Sequence, residues 1–127
     1  LCDKRRERAN EADVMNIVGD VAGKNCLIVD DMCDTGGTIC KVAAALHKAG
    51  ANEIVACFSH AVLSGNAVEN IGASHLKKVI VTNTVPLNDR ARSLQDSGRI
   101  EVLSVGRLLA SAINSIHDET SVSSLFL

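Results

Sequence analysis

Cys26-Leu27-Ile28-Val29 is an unbroken apolar run rich in branched residues, and it stops abruptly on Asp30-Asp31. Such a run fits a strand buried on both faces of a parallel sheet. Two spacers later, Asp34-Thr35-Gly36-Gly37-Thr38 opens a segment in which Ile39, Val42, Ala43, Leu46 and Ala49 recur at helical spacing, and Gly50 supplies a left-handed stop. A buried strand, an acidic end, a glycine turn and an amphipathic helix narrow the possible folds sharply. In open α/β sheets the carboxyl ends of such strands are where ligands bind.

The alternation continues along the chain. Residues 4–13 are dominated by charge and read as a solvated connection or a loose helix. Residues 15–18 read as a short strand closed by Gly19-Asp20, with a turn at Ala22-Gly23-Lys24. Strands are expected at 53–58, 78–82 and 101–104, and a helix at 65–71 capped by Ser64. Residues 83–99, with the only proline at Pro86, form the longest expected loop. Ser104 is expected to cap a last helix whose Val105, Leu108, Leu109, Ala112, Ile113 and Ile116 form one stripe that packs on the sheet. The expected fold is therefore α/β, a twisted and mainly parallel sheet covered by helices on both faces.

At 127 residues and 46% hydrophobic content, the chain suits one core and one domain, 1–127. Its 13 basic against 15 acidic residues and 2% aromatic content exclude the basic footprint and stacking platforms of a nucleic-acid binder. The five cysteines, Cys2, Cys26, Cys33, Cys40 and Cys57, are odd in number and nowhere closer than seven residues, which points to reduced thiols and away from a metal knot. No run approaches the roughly 18 apolar residues of a membrane span and no signal peptide stands at the start, so a soluble, cytoplasmic protein is expected. Opening on Leu1 and then on charge, the chain reads as a fragment.

The turn at 34–38 carries the chemistry. A helix N-terminus leaves backbone N–H groups unpaired and carries positive partial charge, so it attracts a phosphate dianion. Gly36 and Gly37 let the backbone bend and bring its amides close to an anion, and Thr35 and Thr38 add hydroxyl donors. The spacing lacks the lysine of a P-loop and the glycine pattern of a dinucleotide fold. Asp30 and Asp31 would repel each other unless a cation or a multiple donor lay between them, and a vicinal diol supplies charge-assisted hydrogen bonds to both. The pattern thus describes a sugar over the strand end with its phosphate on the helix.

These segments resemble the phosphoribosyltransferase-type fold and, within it, the ribose-phosphate pyrophosphokinase (PRPP synthetase) family. The run from Cys26 to Thr38 is similar to that family's ribose-5-phosphate loop. So are Asp3-Lys4-Arg5-Arg6, Ala9-Asn10-Glu11 and Met15-Asn16-Ile17-Val18-Gly19-Asp20 to the stretch ahead of it. Ser59-His60-Ala61-Val62-Leu63-Ser64-Gly65, Val81-Thr82-Asn83-Thr84-Val85-Pro86-Leu87 and the tail Glu119-Thr120-Ser121-Val122-Ser123-Ser124-Leu125-Phe126 resemble further family segments. Cys33 departs mildly, standing where an aliphatic spacer is expected.

The resemblance implies a type I phosphoribosyltransferase-like C-terminal domain. Its reaction is attack by the anomeric hydroxyl of ribose 5-phosphate on the β-phosphorus of Mg-ATP, giving PRPP and AMP. It implies that Asp30 binds ribose, with Asp31 beside it, and that Asp34, Thr35, Gly36, Gly37 and Thr38 hold the phosphate. It also implies that Ser121, Ser123 and Phe126 help form a regulatory phosphate or ADP site in a homo-oligomer of dimers assembling to a hexamer. The catalytic lysine and arginine, the magnesium histidine and most ATP contacts are expected upstream of Leu1. No catalytic residue is then expected here, and the chain alone is expected to be inactive. A base-specific phosphoribosyltransferase and a non-catalytic regulatory subunit are the alternatives. His60, beside a strand end, is read as structural before acid or base, and His47, His75 and His117 receive no role.

Overall fold

A computed structural model describes residues 2–5 and 14–126. Strands β1 (Cys2–Arg5) and β2 (Val14–Ile17) form an antiparallel pair, Cys2 opposite Ile17. The expected connection over 4–13 is thus a strand at residues 4 and 5, while residues 6–13 lie outside the described residues. The main sheet contains β3 (Cys26–Cys33), β4 (Ile54–Ala61), β5 (Lys78–Thr82) and β6 (Ile100–Leu103), all parallel and side by side in chain order. Helices α1 (Gly37–Lys48), α2 (Ala67–Ala73) and α3 (Asp89–Asp96) are the three crossovers. After β6 come α4 (Gly106–His117) and a short 3-10 turn, Ser123–Phe126.

Strand order decides which face is covered. Right-handed crossovers that always step in the same direction put every connecting helix on the same side, and only a reversal of strand order populates the other. Ile54, Ala56 and Phe58 of β4, Val79 and Val81 of β5 and Ile100 of β6 accordingly join Ile39, Ala43 and Leu46 of α1, Ala67 and Ile71 of α2 and Ala91 of α3 in one core. Full burial of an Ile or Val there contributes roughly 1.5–3 kcal/mol. On the opposite face Leu27 is 62% and Val29 71% exposed. The expectation of helices on both faces is therefore corrected among the described residues, and so is the doubly buried reading of residues 26–29.

The last helix shows the same correction. Its apolar stripe is real, but α4 buries no residue, and Ile113 is 64% and Ile116 69% exposed. Among the described residues it follows the edge strand β6 with no further strand to step to, so no crossover draws it onto the helical layer. The expected cap is corrected as well: Val105 rather than Ser104 is the N-cap of α4 and no side chain caps it, although the Ser104 hydroxyl accepts from Gly106 N at 3.3 Å and Asn83 Oδ1 from Val105 N at 2.9 Å.

Two other expectations change. The loop over 83–99 contains α3, whose start is fixed by Asn88, its side chain accepting from Ala91 N at 2.8 Å. Helix α2 begins at Ala67 rather than 65, because Gly65 takes φ 55 and Leu63 φ 49 in a tight turn, and Ser64 does not cap it. Strand β5 and the Gly50 stop, with φ 86, stand as expected. At the amino end of β3, Gly23 N donates to Gly50 O at 2.7 Å and Cys26 N to Glu53 O at 2.7 Å, closing the end of the sheet remote from the glycine turn.

Candidate functional site

β3 runs four residues beyond the expected apolar run, carrying Asp30, Asp31 and Met32 on to Cys33 beside β4, with Asp30 opposite Phe58 and Met32 opposite His60. The turn from Asp34 to Gly36 then delivers the chain into α1. A cleft of about 200 Å³ lies at this junction, lined by Asp30, Met32, Cys33, Asp34, Thr35, Gly36, Gly37, Thr38, Ile39 and Phe58. Of the seven residues singled out in the sequence as sugar-phosphate contacts, six line it together. Asp31 does not, as the alternation of side chains along a strand dictates; its N–H instead bonds to Asp30 Oδ1 at 2.9 Å.

Only one of the two glycines is used for its backbone freedom. Gly36 takes φ 74, and a Cβ there would stand 3.6 Å from Ala67 Cα of α2. Gly37 is the first residue of α1, and a Cβ on it would meet only Thr35 Oγ1 at 3.8 Å. The first backbone bond of α1 is Cys40 N to Gly36 O at 3.0 Å, and no side chain caps the helix. The amides of Gly37, Thr38 and Ile39 are the ones a helix start leaves without intrahelical acceptors. They belong to residues that line the cleft, where the positive end of the helix favours an anion. Among the described residues, the lining includes two carboxylates and neither lysine nor arginine.

The turn is held from a distance. Leu63 N donates to Cys33 O and Ser64 N to Asp34 O, each at 3.0 Å, and Ser64 Oγ donates to Asp34 Oδ1. Asn70 Nδ2 of α2 donates to Thr35 O at 2.9 Å across 35 residues of sequence. Sequence reading missed Asn70 and gave Ser64 a different task, since nothing local reveals a partner so far along the chain. Behind the turn, burial pushes the Cys33 thiol up to about 11, with Cys40 adding to the rise and the N–H of Gly36 pulling against it. Burial also raises the Cys40 thiol. Cys26, Cys33, Cys40 and Cys57 are all free thiols.

His60 lies outside this cleft. Its Nδ1 pairs with Thr84 Oγ1 at 2.8 Å, and Thr84 and Thr82 both donate to Ser59 O, at 2.7 and 2.6 Å, in a small hydroxyl cluster over the ends of β4 and β5. At the far end of the chain, Ser123 N donates to Ser121 Oγ at 3.2 Å and Phe126 is exposed. Among the described residues no group of three His, Cys, Asp or Glu side chains could hold a metal ion, and no helix is long and apolar enough to cross a membrane.

Residues 5–127 fit the family model of the phosphoribosyl synthetase-associated domain. A ribose-phosphate pyrophosphokinase of Vibrio parahaemolyticus is 49% identical over 99% of this chain and 39% of its own length. One from Xanthomonas axonopodis pv. citri is 52% identical over the whole of this chain and 39% of its own length. The chain thus spans about two fifths of the curated relatives it resembles. A crystal structure of phosphoribosylpyrophosphate synthetase from Mycobacterium smegmatis superimposes with a TM-score of 0.73 at 35% identity, covering 85% of this chain and 34% of that one. A four-stranded parallel sheet with a glycine turn at its carboxyl edge and similarity along the whole sequence lead to one assignment: the chain belongs to the phosphoribosyl synthetase-associated domain family, in the company of the ribose-phosphate pyrophosphokinases.

Proposed function

We propose that the cleft between β3 and α1 takes ribose 5-phosphate, as part of a ribose-phosphate pyrophosphokinase that moves diphosphate from Mg-ATP to the anomeric hydroxyl and yields PRPP and AMP. The observation that carries this reading is the uncapped start of α1 opening into the same cleft as Asp30. Amides of Gly37, Thr38 and Ile39, helped by the Thr35 and Thr38 hydroxyls, would bind the 5-phosphate, and Asp30 would accept from the ribose hydroxyls. Asp31, whose side chain does not line the cleft, is given no contact with the sugar in this reading. Phosphoryl chemistry depends chiefly on positioning and charge neutralisation, so the contribution of these residues is to hold the acceptor in place.

Magnesium enters this proposal with ATP, as part of the co-substrate. Among the described residues, no group of three His, Cys, Asp or Glu side chains could hold it. The lysine, arginine and histidine chemistry of the reaction is proposed to come from the part of the polypeptide that corresponds to the remaining length of the relatives. Residues 1–127 then act as one C-terminal domain. Ser121, Ser123 and Phe126 are proposed to contribute to a regulatory phosphate or ADP site shared between subunits of a cytoplasmic homo-oligomer.

Calorimetric titration tests the site. Ribose 5-phosphate is expected to bind saturably, ribose without its phosphate at least about tenfold less tightly, and Asp30→Asn to weaken the sugar phosphate by about tenfold, the scale of one charge-assisted hydrogen bond. If the whole encoded polypeptide takes up no ribose 5-phosphate, the proposal fails.

A further inference from the structure

An anion site with a carboxylate in its wall faces an electrostatic conflict. Asp34 lines the cleft, and a free, ionised side chain there would repel the dianion that the helix start attracts. The structure engages that side chain elsewhere: its Oδ1 accepts from Ser64 Oγ, while the backbone of the same serine donates to Asp34 O at 3.0 Å. The next residue, Thr35, has its carbonyl held by Asn70 Nδ2 at 2.9 Å. The one after that, Gly36, is left-handed and faces α2, where a Cβ on it would stand 3.6 Å from Ala67 Cα. Two consecutive residues of the turn are therefore hydrogen-bonded by the segment from Leu63 to Asn70, and the third, Gly36, faces it.

We propose that Ser64 and Asn70 are positioning residues of the cleft. Ser64 draws the Asp34 carboxylate away from the anion, and Asn70 fixes the Thr35 carbonyl, so that the amides at the start of α1 are left facing the phosphate. This rests on the reading of the cleft as a ribose 5-phosphate site and adds to it: Asp34 belongs to the frame of the site, and its negative charge is managed by a residue 30 positions away.

The test uses the whole encoded polypeptide with Ser64→Ala, Ser64→Thr, Asn70→Ala and the double variant Ser64→Ala/Asp34→Asn. The readouts are titration with ribose 5-phosphate and amide hydrogen exchange over residues 35–39. Ser64→Ala is expected to raise the Kd by about tenfold and Asn70→Ala by about threefold to tenfold, the scale of one hydrogen bond. Ser64→Thr, which keeps the hydroxyl, should stay within about threefold of the unsubstituted protein. The decisive arm is the double variant: a neutral amide at position 34 no longer repels the phosphate, so most of the lost affinity should return. A serine with a merely structural role would give no such rescue. Equal affinity of Ser64→Ala and the unsubstituted protein, or a double variant no better than Ser64→Ala, overturns the proposal. If the unsubstituted protein binds no ribose 5-phosphate, the reading of the site falls, and the exchange data still judge the bracing. Faster exchange at 35–39 in Ser64→Ala upholds it, and unchanged exchange removes it.

Discussion

Replacing Gly36 by alanine isolates the one position in the turn where backbone conformation demands glycine. At φ 74 an L-residue costs about 1–2 kcal/mol relative to glycine. The added Cβ would lie 3.6 Å from Ala67 Cα and Ala67 O and 3.7 Å from Asn70 Cβ, all ordinary contacts, so no overpacking cost adds to this. Alanine also narrows the unfolded ensemble, which offsets about 0.4–1 kcal/mol. The balance is a loss of about 1 kcal/mol, or a fall in Tm of roughly 3–6 °C for a domain of this size. Gly37→Ala is the internal control. It has no left-handed φ and no contact closer than 3.8 Å, so its melting temperature should move by less than about 2 °C. Scanning calorimetry of the two variants beside the unsubstituted protein decides the matter. The reasoning is refuted if Gly36→Ala melts with the unsubstituted protein, or if Gly37→Ala loses as much as Gly36→Ala.

Two further outcomes can be measured on the same material. The Cys33 thiol is raised from 9.0 to about 11, chiefly by burial, so above pH 9 the folded chain keeps a proton that the unfolded chain has lost. That stability is whole below pH 9 and drains at up to about 1.4 kcal/mol per pH unit as pH rises towards 11. Urea unfolding across this range should show the slope, and Cys33→Ala should flatten it. Asn88→Ala removes both the acceptor from Ala91 N and the Nδ2 donor to Leu63 O, at 3.2 Å, and should cost at least about 1 kcal/mol by the same urea assay, with Asn88→Ser recovering only the capping part.

The site was more legible in the sequence than the architecture around it. β3, its acidic end, the glycine turn and α1 are contiguous, so periodicity and turn chemistry placed six of the seven proposed contacts in one cleft. Asp31 was paired with Asp30 by proximity in sequence, although a period of two already separates neighbours on a strand. Helix α3 was hidden because Ala91 is its only buried residue and Leu94 is only partly so, too few to make a visible stripe. The stripe of α4 was visible, yet amphipathicity says only that a face is apolar, not what it meets. The expectation of two covered faces failed for a related reason, since strand order is a tertiary property that hydrophobic period does not encode. Ser64 had the residue type and place of a cap, and only the folded chain reveals that its hydroxyl goes to Asp34.

If the cleft takes the proposed sugar phosphate, the bonds from Leu63 and Ser64 to the carbonyls of Cys33 and Asp34 would make its recognition a cooperative property. A synthetic peptide of residues 26–50 would contain every group thought to touch the phosphate. It would nonetheless be a floppy ligand, because a helix of 12 residues is marginal in water and nothing would set the bend ahead of it. On that reading, competence would emerge when the second βα unit docks, after roughly thirty residues of chain have been closed into a loop. The recognition element is consequently not portable as a short segment, and any truncation that severs β4 from α2 should abolish uptake of the sugar phosphate even if the glycine turn itself is untouched.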